Sequence, residues 1–155
     1  MSASLARLLP SAIRLAVRGI VLREGRLLLV NTWPGRDDFW SVPGGGVLPH
    51  RPLPDNLIRE FHEETGLTVA VGAPCLINEF HDPGGSFHQV DIFFRCTLTG
   101  GDPDGDWQDS EGVVSRRRWV TRAELAGLRV KPDSLASIVW GEGTILYDPL
   151  EPIIW

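Results

Sequence analysis

Residues 40–67 read Trp-Ser-Val-Pro-Gly-Gly-Gly-Val-Leu-Pro-His-Arg-Pro-Leu-Pro-Asp-Asn-Leu-Ile-Arg-Glu-Phe-His-Glu-Glu-Thr-Gly-Leu. A strand-like Trp40-Ser41-Val42 runs through a glycine loop into a helix that carries Glu60, Glu63 and Glu64. At 3.6 residues per turn those three acids share one face. Like charges at such spacing destabilise an isolated helix, so something must offset them. A divalent cation is the simplest candidate, because hard cations take carboxylate oxygens and bring phosphates with them. The competing reading is a solvated acidic face that pairs with Arg59.

This stretch resembles the Nudix box, G-x5-E-x7-R-E-U-x-E-E-x-G-U, where U is apolar. The tail Arg59-Glu60-Phe61-His62-Glu63-Glu64-Thr65-Gly66-Leu67 matches at every fixed position, and the opening glycine falls on Gly45, after Pro43-Gly44. One fixed position departs: Arg51 stands where the family has its first glutamate. Leu48 and His50 stand where an acid and a glycine are common. The resemblance implies an α/β fold, a Nudix-type α/β/α sandwich around a mixed β-sheet. It also implies a diphosphatase or pyrophosphohydrolase that splits a diphosphate linkage in a nucleoside diphosphate derivative.

In that reading Mg²⁺, with Mn²⁺ as the other candidate, is held by Glu60, Glu63, Glu64 and the Gly44 carbonyl. Glu60, Glu63 and Arg59 are the catalytic residues, and Gly45, Gly46 and Arg51 face the substrate. Bound metal neutralises phosphate charge and lowers the pKa of a coordinated water, while Glu60 or a downstream acid orients or deprotonates it. Glu111 is the downstream acid chosen as a further metal ligand, with Asp109 next. The family's acid at position 51 pairs with the arginine matched by Arg59, and two arginines cannot pair. Two alternatives stay open: Arg51 turns to solvent, or it reaches a substrate phosphate, with Asp55 taking over part of the pairing. Survival of all three matched acids argues for retained activity. The rival function is a non-catalytic Nudix-fold module that binds a nucleotide or a protein.

The 155 residues suit one domain, read as an arm over 1–12 and a body over 13–155. An apolar fraction of 43% is enough for a packed core. A net charge of -5 and no basic stripe disfavour nucleic acid as a partner. Charged residues interrupt the apolar run 15–30, so no membrane span is expected. Arginines in the opening segment, without a clear cleavage site, weigh against a signal peptide. Cys75 and Cys96 read as core thiols of a reducing compartment, and the chain as cytoplasmic. Family relatives are often dimers, so a homodimer is the oligomer the resemblance implies.

Alternation and turn residues predict a hairpin over 13–31 and the box helix from about Pro54 to Gly66. A second hairpin follows over 67–98, broken at Gly72-Ala73-Pro74 and turning at 81–86. A loop over 99–112, a strand over 113–120, a capping box at Thr121–Glu124 and a helix over 132–140 complete the body. The apolar tail, 147–155, should pack on it. Four histidines, at 50, 62, 81 and 88, lack zinc-like spacing. Arg116-Arg117-Arg118 reads as a charged strand end, with phosphate attraction as the alternative. Phe80, Phe87, Trp33 and Trp107 read as packing groups that are also able to stack a base. Pro83 stands near where ADP-ribose-cleaving relatives carry a proline, and its Pro-Gly-Gly turn accounts for it equally well.

Overall fold

The computed structural model describes residues 12–31, 38–105, 116–141 and 143–153. Residues 1–11 of the expected arm, Trp33, Trp107, Asp109 and Glu111 lie outside these residues, as do 113–115 of the strand expected over 113–120.

The first hairpin pairs β1 (Arg14–Arg23) antiparallel with β2 (Arg26–Asn31). The turn between them places Glu24 and Gly25 at positive φ. Along β1 and β2 the side chains alternate between two cores, as a period of two requires. Val17, Val21 and Leu28 face one apolar cluster, and Ile20, Leu27 and Leu29 face the other. The chain then passes β3 (Phe39–Trp40) and β4 (Gly44–Gly46) into helix α1 (Leu53–Thr65). The glycine stretch expected as a loop is thus partly a strand, antiparallel to β1 with Gly45 opposite Val17.

Helix α1 starts one residue before Pro54, which sits in the first turn where its missing N–H is no loss. Asp55 follows at the positive end of the helix dipole. Gly66 ends the helix at φ 74°, its N–H donating to the His62 carbonyl, as a C-terminal glycine does. Leu57 and Phe61 are fully buried against β1 and β5 residues. Gly19 has no side chain because a Cβ there would lie 3.0 Å from the Phe61 ring.

The second hairpin is β5 (Thr68–His81) and β6 (His88–Gly100). The expected break at Gly72-Ala73-Pro74 is a pair of register shifts inside one continuous strand. Proline cannot donate to a ladder, and a bulge absorbs it without ending the strand. β6 lies parallel to β1 and joins the hairpins into one mixed sheet. β7 (Arg116–Val120) extends it antiparallel to β2. Helix α2 (Arg122–Leu125) opens on the expected capping box, Thr121 and Glu124 each accepting from the other's backbone N–H. β8 (Arg129–Val130) pairs with β3. The later helix, α3, is shorter than expected, Leu135–Val139, and buries Leu135, Ile138 and Val139 on the face opposite α1. The fold is therefore an α/β arrangement of helix, mixed sheet and helices.

The tail adds two short parallel strands to the edge of β5, β9 (Leu146–Tyr147) and β10 (Glu151–Pro152). Backbone bonds and polar ties hold it more than apolar packing does. Tyr147 is 60% exposed, while Asn78, fully buried, donates to both Asp148 and Glu151. Both cysteines are free. Burial raises the pKa of Cys75, and pushes that of Cys96 up to about 12. Among the described residues no helix is long and apolar enough to cross a membrane.

Candidate active site

The glycines of β4 lie between β1 and α1. A Cβ on Gly44 would stand 2.0 Å from the Val17 carbonyl, and one on Gly45 2.3 Å from Glu60 Oε2. Backbone therefore excludes a side chain at Gly44, whereas one at Gly45 would need the Glu60 carboxylate to turn aside. The Pro43 carbonyl and the Val47 N–H bond to β1. By alternation, Gly44 and Gly46 turn their own backbone polar groups away from β1. The Gly44 N–H donates to Glu64 Oε2 at 3.0 Å, and the Gly46 carbonyl accepts from Arg59 Nη2 at 3.4 Å. The Gly44 carbonyl points to that same side.

Of the three acids, Glu64 is nearly buried and is held by Gly44. Glu60 pairs with Arg59 at 2.8 Å, and Glu63 stands 3.7 Å from the same guanidinium. Arg59 thus offsets part of the repulsion that the sequence poses. As they stand, no three acidic, histidine or cysteine side chains among the described residues surround one point. The donor set still suits a hard cation, since carboxylates and a carbonyl are all oxygen ligands. Among the described residues Glu60 and Glu63 are held only by Arg59, so a side-chain turn would free them.

Arg51 is exposed and lies outside the cavity lining. Its guanidinium makes no hydrogen bond or ion pair among the described residues. Asp55 does not take over the pairing. That role falls to Asn56, a residue the sequence reading passed over. Asn56 is fully buried; its Oδ1 accepts from the Leu48 N–H at 2.9 Å and from Arg59 Nη2 at 3.1 Å. Its Nδ2 donates to the carbonyls of Leu48, Arg51 and Pro52. One amide fastens the whole approach to the helix and steadies Arg59. Arg59 Nε remains buried without a partner among the described residues. His50 holds φ 68° where the family commonly has glycine, so the backbone has kept a conformation that the residue disfavours.

Beside the glycines opens a cavity of about 510 Å³. Gly44, Gly45 and Glu64 form one wall, and Phe39, Phe80 and Phe87 supply aromatic surface. Two of its cations are engaged. Arg18 pairs with the buried Asp91 at 3.3 Å, and Lys131 with Asp133 and Glu151. Burial pulls the Lys131 pKa down, but those two carboxylates outweigh it and leave it raised. Arg14 lines the same cavity with no partner among the described residues. Arg116 and Arg118 flank the buried Trp40 ring, whereas Arg117 reaches the carbonyls of Thr65, Asp102 and Gly105. His62 is exposed, and Pro83 sits in the turn between β5 and β6.

The NUDIX domain model matches residues 12–139. The chain belongs to the Nudix family. It is 33% identical over 88 residues to a Bacillus subtilis protein named "Putative ADP-ribose pyrophosphatase YjhB", covering 55% of this chain and 41% of that one. It is 32% identical over 99 residues to mouse diphosphoinositol polyphosphate phosphohydrolase 3-alpha, covering 63% of this chain and 56% of the relative. The chain therefore spans about half the length of these relatives. In fold, it resembles a Nudix hydrolase from Nitrosomonas europaea, with a TM-score of 0.69 at 18% identity over 83% of this chain and 86% of that one. It also resembles a MutT protein from Bacillus halodurans, with a TM-score of 0.65 at 23% identity over 87% of each.

Two stability predictions follow from the loop. Asn56→Ala leaves buried partners unpaired and should cost about 3 kcal/mol in urea denaturation; a loss below about 1 kcal/mol would show that Asn56 is no clamp. His50→Gly relieves the left-handed strain and should raise stability by about 1 kcal/mol in the same assay.

Proposed function

We propose that this Nudix protein is a divalent-metal-dependent hydrolase of a diphosphate linkage in a nucleoside diphosphate derivative. One observation carries the reading: side-chain-free backbone at Gly44 and Gly45 lies against Glu60 and Glu64, at the wall of an aromatic-lined cavity. Glu60, Glu63, Glu64 and the Gly44 carbonyl would hold Mg²⁺ or Mn²⁺, with Glu111 as the expected further ligand. When bound, the metal supplies charge neutralisation on the phosphate oxygens and acidification of water.

The chain's own residues do the remaining work. Gly45 lets the diphosphate approach the backbone closely, and Gly46 leaves room for the Arg14 guanidinium, 2.9 Å from where a Cβ would stand. Arg14, a cavity cation with no partner among the described residues, is offered to a phosphate, and Glu60 receives the proton of the attacking water. Arg59, held by Asn56, keeps Glu60 and the Gly46 carbonyl in register. Aromatic surface, with Arg18 and Lys131 already paired, favours a nucleoside over an inositol polyphosphate, which needs many free cations. Free cysteines support the cytoplasm as its compartment.

Arg51, where the family has an acid, is the observation that favours the rival reading of a binding module without turnover. Product release from a panel of nucleoside diphosphate derivatives with Mg²⁺ separates the two. Turnover should appear and fall at least about a hundredfold in Glu63→Gln, in line with loss of a carboxylate that would hold the metal. Nucleotide binding with no turnover on any substrate would establish the module instead. Arg51→Glu should change turnover by less than about threefold, a barrier change under about 1 kcal/mol; a large gain would mean that the natural loop is impaired.

A further inference from the structure

The hydrolysis described above uses Arg14 but leaves its two register neighbours on the cavity wall without a role. Phe80 on β5, Gln89 on β6 and Arg14 on β1 are register partners across three adjacent strands. Their side chains therefore stand next to one another on one face, and all three line the cavity. Gln89 is only 6% exposed. Its Nε2 donates to Asp91 Oδ1 at 2.6 Å, and Asp91, 1% exposed, accepts from Arg18 Nε on its other oxygen.

This chain of contacts fixes which way the Gln89 amide faces. A carboxylate paired with arginine only accepts hydrogen bonds. The flipped amide would set a carbonyl oxygen 2.6 Å from a carboxylate oxygen, with no proton between them. The nitrogen end is therefore committed to Asp91, and the carbonyl end remains for a ligand. That carbonyl makes no hydrogen bond with any described residue, and it is not among the sealed, unpartnered atoms, which are Arg59 Nε and Asn78 Oδ1. A half-buried aromatic ring, Phe80, stands directly beside it.

We propose that Gln89 is a specificity-determining residue whose carbonyl accepts a hydrogen bond from the exocyclic amino group of a base stacked on Phe80. The proposal rests on the nucleoside reading above and narrows it to amino-bearing bases such as adenine. A base without that group would desolvate the carbonyl and leave it unpaired, and a site built to bond a donor rejects analogues lacking one. Asp91 and Arg18 are positioning residues, because they act on the ligand only through Gln89.

Calorimetric titration with AMP and with purine riboside 5′-monophosphate, which lacks only the amino group, tests this without any catalysis. AMP should bind about tenfold tighter, one neutral hydrogen bond's worth. In Gln89→Leu the two should bind within about twofold of each other. Equal binding by the unaltered chain, no AMP binding, or a preference that survives in Gln89→Leu would each overturn the proposal. If Gln89→Leu does not fold, the near-isosteric Gln89→Met replaces it, and the unaltered chain's own preference still decides. An AMP preference without turnover of any diphosphate would sink the hydrolase reading and leave Gln89's role standing.

Discussion

The structure depends on one close approach. Three consecutive glycines let a strand lie flush on β1 on one side and meet the acids of α1 on the other. With 2.0 Å between a Gly44 Cβ and the Val17 carbonyl, an alanine there would force the layers apart, and one at Gly45, 2.3 Å from Glu60 Oε2, would push that carboxylate aside. The same approach lets the Gly44 N–H hold Glu64, a nearly buried acid that would otherwise be costly. Helix, strand and cavity are therefore fixed relative to one another by absent side chains.

Around that contact the chain has rearranged its polar support. A helix face with three acids needs positive partners, and Arg59 serves two of them while leaning on Gly46 and Asn56. Position 51 carries an arginine and Arg59 Nε has no partner among the described residues, yet the loop is well tied, because one buried amide gathers four backbone groups besides Arg59. An amide suits this task since it both donates and accepts, which a carboxylate cannot do. His50 is the counterpart in the backbone, a non-glycine residue held at φ 68° in that loop.

The two faces of the sheet have different duties. Toward α1, Val17, Leu57 and Phe61 make a plain apolar contact that seats the helix. On the other face, Arg18, Gln89 and Asp91 interrupt the apolar surface with a polar network that leaves the Gln89 carbonyl open toward the cavity. Such a network is expensive to bury, and its internal bonds hold the Gln89 amide in one orientation. Its position on the cavity wall ties that rigidity to ligand choice more than to stability.

Much of this was written locally in the chain. Glu60, Glu63 and Glu64 share a face because of helical period, Gly66 stops the helix because only glycine is at ease at its φ, and Thr121 with Glu124 caps because both reach backbone groups within one turn. These are short-range rules, and residues 59–67 carry enough of them to give the family. What tertiary structure decided was long-range. Gly44–Gly46 reads as a loop by propensity and becomes a strand only because β1 offers a ladder. Asn56 looks like an ordinary polar helix residue until Leu48 and Arg51 fold back over it. Phe80, Gln89 and Arg14 form a row only when β5, β6 and β1 come into register, a pairing that depends on residues as much as seventy-five positions apart. Sequence fixes what each residue offers within a few neighbours; which distant group receives the offer is set by how the sheet closes.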